Sequence, residues 1–253
     1  MESNFRVTLL LGASVGLILL SRIYVPVISL IAFCPLIWLL EGSSKQRIPV
    51  AYWFLGSSVI LTISALFYLD EKFLAPIYGV GLTMALSVYL LTSKFSKNRL
   101  GIFTILLFWL GFDYLVLKVL PTASSAFLSS FFDGAQAMGW SRTTGNLGIT
   151  AWIVISNILC YYVFLWQDAI FKKTIRWMSL IYAIIFISIP ILISSYFVTY
   201  LAPVTLLEMK SVYMNSHIIA DIRYSENGEW LGRTCAWVSI LVVVYALIKR
   251  KTK

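Results

Sequence analysis

The sequence predicts an all-α polytopic membrane protein, a bundle of about eight transmembrane helices with both termini in the cytoplasm. Three observations predict this fold: the composition, long apolar runs, and basic clusters between the runs. The 253-residue chain is 60% hydrophobic and 12% charged, whereas soluble domains are about 45–50% apolar and about 25% charged. This number of charged residues is too small to cover the surface of a water-soluble fold of this size. A bilayer must therefore solvate most of the chain.

Eight apolar runs set the predicted helix count. Most of them reach the roughly 20 residues that an α-helix needs to cross about 30 Å of hydrocarbon. The first two are short and nearly contiguous, with Pro26 following the break, so we expect a tight helical hairpin. The chain is then one membrane domain, 1–253, with outer loops 121–146 and 202–230. The runs are 7–22, 24–40, 49–69, 73–93, 100–120, 147–167, 175–200 and 231–248.

Basic clusters between the runs predict the orientation. Counted with Arg6, they put 13 of the 20 Lys and Arg residues on one side of the membrane if the helices alternate. The positive-inside rule makes that side cytoplasmic. Because the net charge of +9 is explained by these clusters, we expect no nucleic-acid partner. The clusters are Lys45 and Arg47; Lys94, Lys97 and Arg99; Lys172, Lys173 and Arg176; and Lys249, Arg250, Lys251 and Lys253.

The two outer loops differ in character. Loop 121–146 has few charges and several large apolar residues, so we expect it to lie in the membrane interface, where amphipathic aromatics are favoured. Loop 202–230 is polar, and it is too short for an independent domain. The large apolar residues of the first loop are Phe127, Phe131, Phe132, Met138 and Trp140.

Two polar residues lie inside apolar runs. Asp113 is the more expensive, because a carboxylate in a membrane span costs about 2.5–3.5 kcal/mol on insertion scales. It lies about two turns below the outer surface, within reach of water, Lys118 or Arg142. Asp113 is either a structural contact that orders the bundle or a ligand contact. Asn157 is likewise either an interhelical hydrogen-bonding group or a lipid or substrate contact.

Few residues offer catalytic chemistry. His217, the only histidine, lies near Asp221 in loop 202–230; it is either a solvated loop residue or a general base at the membrane surface. With Asp113, these are the weak catalytic candidates. The three cysteines lie inside apolar runs with no partner nearby in sequence, which favours a packing role. We expect no cofactor and no metal.

Four aromatic or basic residues near the outer surface are candidate lipid contacts. Trp140 and Arg142 close the first outer loop, and an arginine binds a phosphate bidentately. Trp230 and Arg233 open the last run. The alternative for all four is ordinary interfacial anchoring, in which aromatic and basic side chains position a helix end.

Four segments resemble, in their order, one known family. They are Cys34-Pro35-Leu36 with Trp38; Trp109-Leu110-Gly111-Phe112-Asp113; Trp140 with Thr144-Gly145, Gly148, Trp152 and Asn157; and Gly228-Glu229-Trp230-Leu231-Gly232-Arg233. The family is that of the apolipoprotein N-acyltransferases. In order, the four segments resemble its early Pro-Leu segment, its Trp-x-x-x-Glu helix signature, the start of the next helix in its Bacteroidetes members, and its Gly-Asp-Trp-x-x-Arg sequence before the last helix. The predicted eight-helix topology is similar as well.

The resemblance implies a bacterial inner-membrane protein with phospholipid and lipoprotein as partners. It does not carry over a catalyst. The family's Glu-Lys-Cys triad belongs to a nitrilase-like domain between helices 7 and 8, whereas the corresponding residues 202–230 contain no cysteine to act as nucleophile. Asp113 stands where the family signature has a Glu, and the family's Pro-Trp pair after that helix is missing.

Three functions therefore stay open. The first is a nitrilase-less relative of the acyltransferase membrane domain that binds lipid or lipoprotein, or docks a separately encoded nitrilase-like protein. The second is an interfacial enzyme for acyl transfer or lipid modification that uses His217, Asp113 and Asp221. The third is a small transporter, for which Asp113 and Lys118 are the main charged residues within the runs.

Overall fold

The chain folds into a helical bundle. A computed structural model describes residues 2–23, 26–69, 72–95, 101–120, 127–132, 141–166, 177–201 and 229–251, and all regular structure within these ranges is helical. The helices are α1 (Glu2–Ile23), α2 (Ser29–Ala32), α3 (Cys34–Ser44), α4 (Val50–Tyr68), α5 (Thr83–Phe95), α6 (Thr104–Val119), α7 (Ser141–Cys160), α8 (Trp177–Leu201) and α9 (Glu229–Lys251). Two π-helical segments, Ile77–Leu82 and Tyr161–Leu165, precede α5 and follow α7.

Several helices have the length and composition of membrane spans. Four stretches in the described ranges qualify: Val50–Tyr68, Lys72–Ser93, Asn146–Leu165 and Trp230–Lys249. Shorter apolar helices cover Phe5–Ser21, Ser29–Ser44 and Trp177–Ile193. The predicted all-helical class, with helices able to cross a bilayer, is confirmed. The count of eight spans and the position of both termini stay predictions.

The second apolar run is broken at Phe33. Its helix ends at Ala32 and restarts at Cys34, whereas the sequence predicted one continuous helix over 24–40. Pro35 explains the break, because it has no N–H to donate and its ring clashes with the carbonyl four residues earlier. The Phe33 N–H instead donates to the Asn157 side chain on α7, with an N–O distance of 2.8 Å.

The break turns Phe33 into the centre of an aromatic cluster. Its ring contacts Trp109, Phe127 and Phe131 edge to face, with centroids 5.7–6.3 Å apart. Tyr68 stacks on Phe131 at 3.6 Å. Phe127 and Phe131 are therefore core residues that pack against other helices, and the position of loop 121–146 in the membrane interface stays a prediction. Large aromatic rings gain more from edge-to-face packing in a core than from a half-wet position.

Helices α6, α7 and α9 meet at Gly232. A Cβ at this glycine would lie 2.6 Å from both Leu147 Cδ1 and Tyr114 Cδ2, so only glycine allows this approach. One turn further along α9, Ala236 faces Gly111 of α6. Small residues at helix interfaces allow the close backbone packing that stabilises bundles in a bilayer.

Helix α8 lies at the edge of the described bundle and packs against α7 and the π-helical segment after it. Pro190 lies inside α8 and cannot donate to the carbonyl of Phe186, four residues earlier. The Trp152 indole on α7 donates to that carbonyl instead, with an N–O distance of 3.3 Å. A side chain of the neighbouring helix thus completes a hydrogen bond that the proline removes.

Replacing Trp152 by phenylalanine should therefore lower stability, and the loss should depend on Pro190. The substitution orphans the Phe186 carbonyl and should cost about 1–2 kcal/mol. In a Pro190→Ala background the alanine N–H can satisfy Phe186, so the same substitution should cost less. A double-mutant cycle of unfolding free energies in detergent measures the difference. Equal losses in both backgrounds would contradict this account.

Candidate functional site between helices α6 and α7

Asp113 lies inside the bundle and not on its lipid-facing surface. Its side chain, on α6, is 0% exposed. Within the described residues neither of its carboxyl oxygens has a hydrogen bond of ordinary geometry. Such an orphaned buried polar group costs about 1–3 kcal/mol, and more if it is charged. Asp113 is therefore an expensive residue that packing within the protein does not explain.

Thr150 and Trp109 are also buried and also have polar side-chain atoms without a hydrogen bond. Thr150 approaches Asp113 from α7 and interacts with its carboxyl group, but its Oγ1 makes no hydrogen bond of ordinary geometry. Trp109 precedes Asp113 by one turn of α6, so both project from the same face, and its indole N–H is also without an acceptor. We call Trp109, Asp113 and Thr150 the polar site. It combines a carboxyl, a hydroxyl and an N–H donor.

Asn157 lies two turns beyond Thr150 on α7 and is fully engaged. Its Oδ1 accepts from the Phe33 N–H at 2.8 Å, and its Nδ2 donates to the carbonyls of Ser29 and Ile153 at 3.0 and 2.9 Å. Both amide protons are used, and the side chain is buried. This geometry favours the interhelical interpretation over a lipid or substrate contact: Asn157 joins α7 to the break between α2 and α3.

The remaining predicted site residues lie elsewhere. Trp230 begins α9 and is 62% exposed, and Arg233 is exposed one turn later, as expected for residues that anchor a helix end. His217, Asp221 and Trp140 lie outside the described residues, and so does the side chain of Arg142.

Sequence reasoning missed a second buried carboxylate, Glu41. At the end of α3, Glu41 Oε2 accepts from the Tyr89 hydroxyl at 2.7 Å. Glu41 Oε1 pairs with Lys45 Nζ at 2.6 Å, and Lys45 lies over the Trp166 ring at 4.4 Å. The available signal was the four-residue spacing of Glu41 and Lys45, which suits a helical ion pair. The sequence pattern indicates Lys45 only as a basic residue of a loop.

The two buried carboxyl groups differ in one decisive respect. Both oxygens of Glu41 have partners from α3 and α5, so Glu41 ties helix ends together and its burial is explained. Among the described residues, Asp113 has only the interaction with Thr150, and neither of its oxygens has a hydrogen bond of ordinary geometry. Comparing the two within one bundle singles out the polar site as the candidate functional site.

The cysteines and the acidic residues supply no second chemistry in the described part of the chain. Cys34, Cys160 and Cys235 are free and buried. Within the described ranges, no three His, Cys, Asp or Glu side chains lie close enough to hold a metal ion. The arrangement is suited to binding a polar group inside an apolar surrounding.

No family model, no curated protein and no solved structure matches the chain.

Proposed function

We propose that the protein is a nitrilase-less relative of the apolipoprotein N-acyltransferase membrane domain, which binds lipid or lipoprotein without transferring an acyl group. It would span the bacterial inner membrane about eight times, with both termini in the cytoplasm. One observation carries the proposal. The four segments that resemble the family are far apart in sequence, but the helices that carry them pack against one another near the polar site.

Three contacts describe this convergence. The Phe33–Asn157 hydrogen bond joins positions 124 residues apart and links the residue directly before the first segment to the third segment. The interaction of Asp113 with Thr150 links the second segment to the helix that carries the third. Gly232, in the fourth segment, lies against Tyr114 and Leu147. Segments that build one site are expected to lie on helices that meet in this way.

The surroundings of the polar site support an amphiphilic ligand. Asp113 and Thr150 offer polar atoms without partners. Trp109 also contacts Phe33, the residue at the centre of the aromatic cluster. Ligand sites typically combine an apolar lining with a few polar groups that fix orientation. A polar head near Asp113 and an acyl chain along the aromatic rings would use both features.

The positions of the cysteine thiols support a non-catalytic role. Acyl transfer through a cysteine needs an accessible thiolate. The three cysteines of the chain are buried inside helices, and residues 202–230 contain none. A separately encoded nitrilase-like protein would have to supply the nucleophile, which makes such a protein the proposed docking partner.

The test uses the purified protein in nanodiscs with a diacylated lipopeptide and phospholipid. We expect saturable lipopeptide binding, no N-acylated product, and about tenfold weaker binding by Asp113→Leu, a change of about 1.4 kcal/mol. Ser156→Ala is the control, because this hydroxyl donates only to the Trp152 carbonyl of its own helix. N-acylation by the protein alone would contradict the non-catalytic role. Absent or Asp113-independent binding would contradict the proposed site.

A further inference from the structure

We propose that the polar site holds ordered water, enclosed between α6 and α7. The starting observation is a set of complementary groups: a carboxyl from Asp113, a hydroxyl from Thr150 and an indole N–H from Trp109. Their side chains are 0%, 0% and 2% exposed, and within the described residues none has a hydrogen-bonded partner of ordinary geometry. Neither bulk water nor protein groups satisfy them.

Several polar residues near the polar site or of similar burial do have hydrogen-bond partners. Ser156 donates to the Trp152 carbonyl, and Asn157 uses both amide protons. On the other side of the bundle, the Trp53 indole donates to Ser87 Oγ at 2.8 Å. Trp53 is as buried as Trp109, so burial alone does not leave an indole without an acceptor. In the polar site, four polar atoms without a hydrogen bond of ordinary geometry gather on three side chains of two helices, and this concentration calls for a ligand.

Water fits the closed site better than an ion or a headgroup. Ordered waters occupy buried sites where two to four polar groups converge, and they serve donors and acceptors equally. A phosphate would lie beside the carboxyl group of Asp113, and two like charges in one buried site repel each other. Asp113 and Thr150 have no exposed surface, so the headgroup of the proposed ligand reaches them only when α6 and α7 move apart, and water is the occupant of the closed site. A water molecule can accept from the indole N–H and donate to the oxygen atoms of Asp113 and Thr150.

This inference goes beyond the proposed function and does not depend on it. Water would occupy the site in the resting protein and bridge α6 to α7, and a bound polar headgroup would displace it. If lipopeptide binding fails but the water is found, only the proposed function is overturned. If lipopeptide binds but no water is found, only the present inference is overturned.

Radiolytic footprinting tests the inference in the intact protein. X-ray pulses generate hydroxyl radicals from bound as well as bulk water, so a residue beside enclosed water is oxidised despite its burial. We expect Trp109 to be oxidised several times faster than Trp53, which serves as the matched control in the same chain. Hydrogen peroxide added to the bulk solution should oxidise neither residue. Equal slow radiolytic rates would overturn the proposal, and so would oxidation of Trp109 by bulk peroxide.

A variant pair connects the signal to the site. Thr150→Val keeps the side-chain shape but removes the hydroxyl, so Trp109 oxidation should fall toward the Trp53 rate. Ser156→Ala, on the same helix, should leave it unchanged. If Trp109 is oxidised at an unchanged rate in a folded Thr150→Val protein, Thr150 does not help to hold the water and the proposed site is overturned. If Thr150→Val does not fold, the comparison of Trp109 with Trp53 in the unaltered protein decides the question.

Discussion

Replacing Asn157 by leucine should destabilise the protein by about 2–5 kcal/mol, because it orphans buried backbone groups on both sides of the helix break. The Phe33 N–H would lose its acceptor and the Ser29 carbonyl its donor, and neither can reach water. Without this connection the ends of α2 and α3 lose the hydrogen bonds that join them to α7. Unfolding free energy in detergent, and the yield of monodisperse protein, measure the effect.

Ser156→Ala provides the control for this experiment. It also removes a buried hydroxyl from α7, but that hydroxyl donates within its own helix, so the loss should stay below about 1 kcal/mol. Similar losses for Asn157→Leu and Ser156→Ala would show that the helix break does not depend on Asn157.

Replacing Gly79 by valine should be comparably damaging. Gly79 lies in the π-helical segment before α5, and even a Cβ there would lie 2.9 Å from Thr62 Cβ and 3.0 Å from the Ser58 carbonyl oxygen. The carbonyl belongs to the backbone of α4 and cannot rotate away, so α4 and the π-helical segment must separate. Overpacking of this kind typically costs about 1–3 kcal/mol, occasionally more.

Gly12→Ala is the matched comparison, since a Cβ at Gly12 meets no atom within 4 Å. Because alanine is the better helix former, this substitution should be neutral or should stabilise by up to about 1 kcal/mol. The two variants are compared by thermal unfolding in the same detergent. A Gly79→Val protein as stable as Gly12→Ala would mean that the helices are not in such close contact.

The site itself was only partly predictable. Asp113 stood out in the sequence, because a carboxylate within an apolar run is costly wherever it points. Its partners did not, since threonine and tryptophan are common in membrane helices and Thr150 lies in another run. Glu41 escaped notice for a related reason: its position at the end of an apolar run concealed that Tyr89 and Lys45 enclose it.

The sequence by itself determined the helical membrane class, because apolar runs of sufficient length in a chain with few charges leave the bilayer as the only suitable solvent. It also determined where most helices lie, since hydropathy is a local property. Only the tertiary structure decided the break at Phe33, the burial of Phe127 and Phe131, and the encounter of Asp113 with Thr150. These features depend on which faces of distant helices meet, and contacts such as the hydrogen bond from Phe33 to Asn157 leave no periodic trace in the sequence.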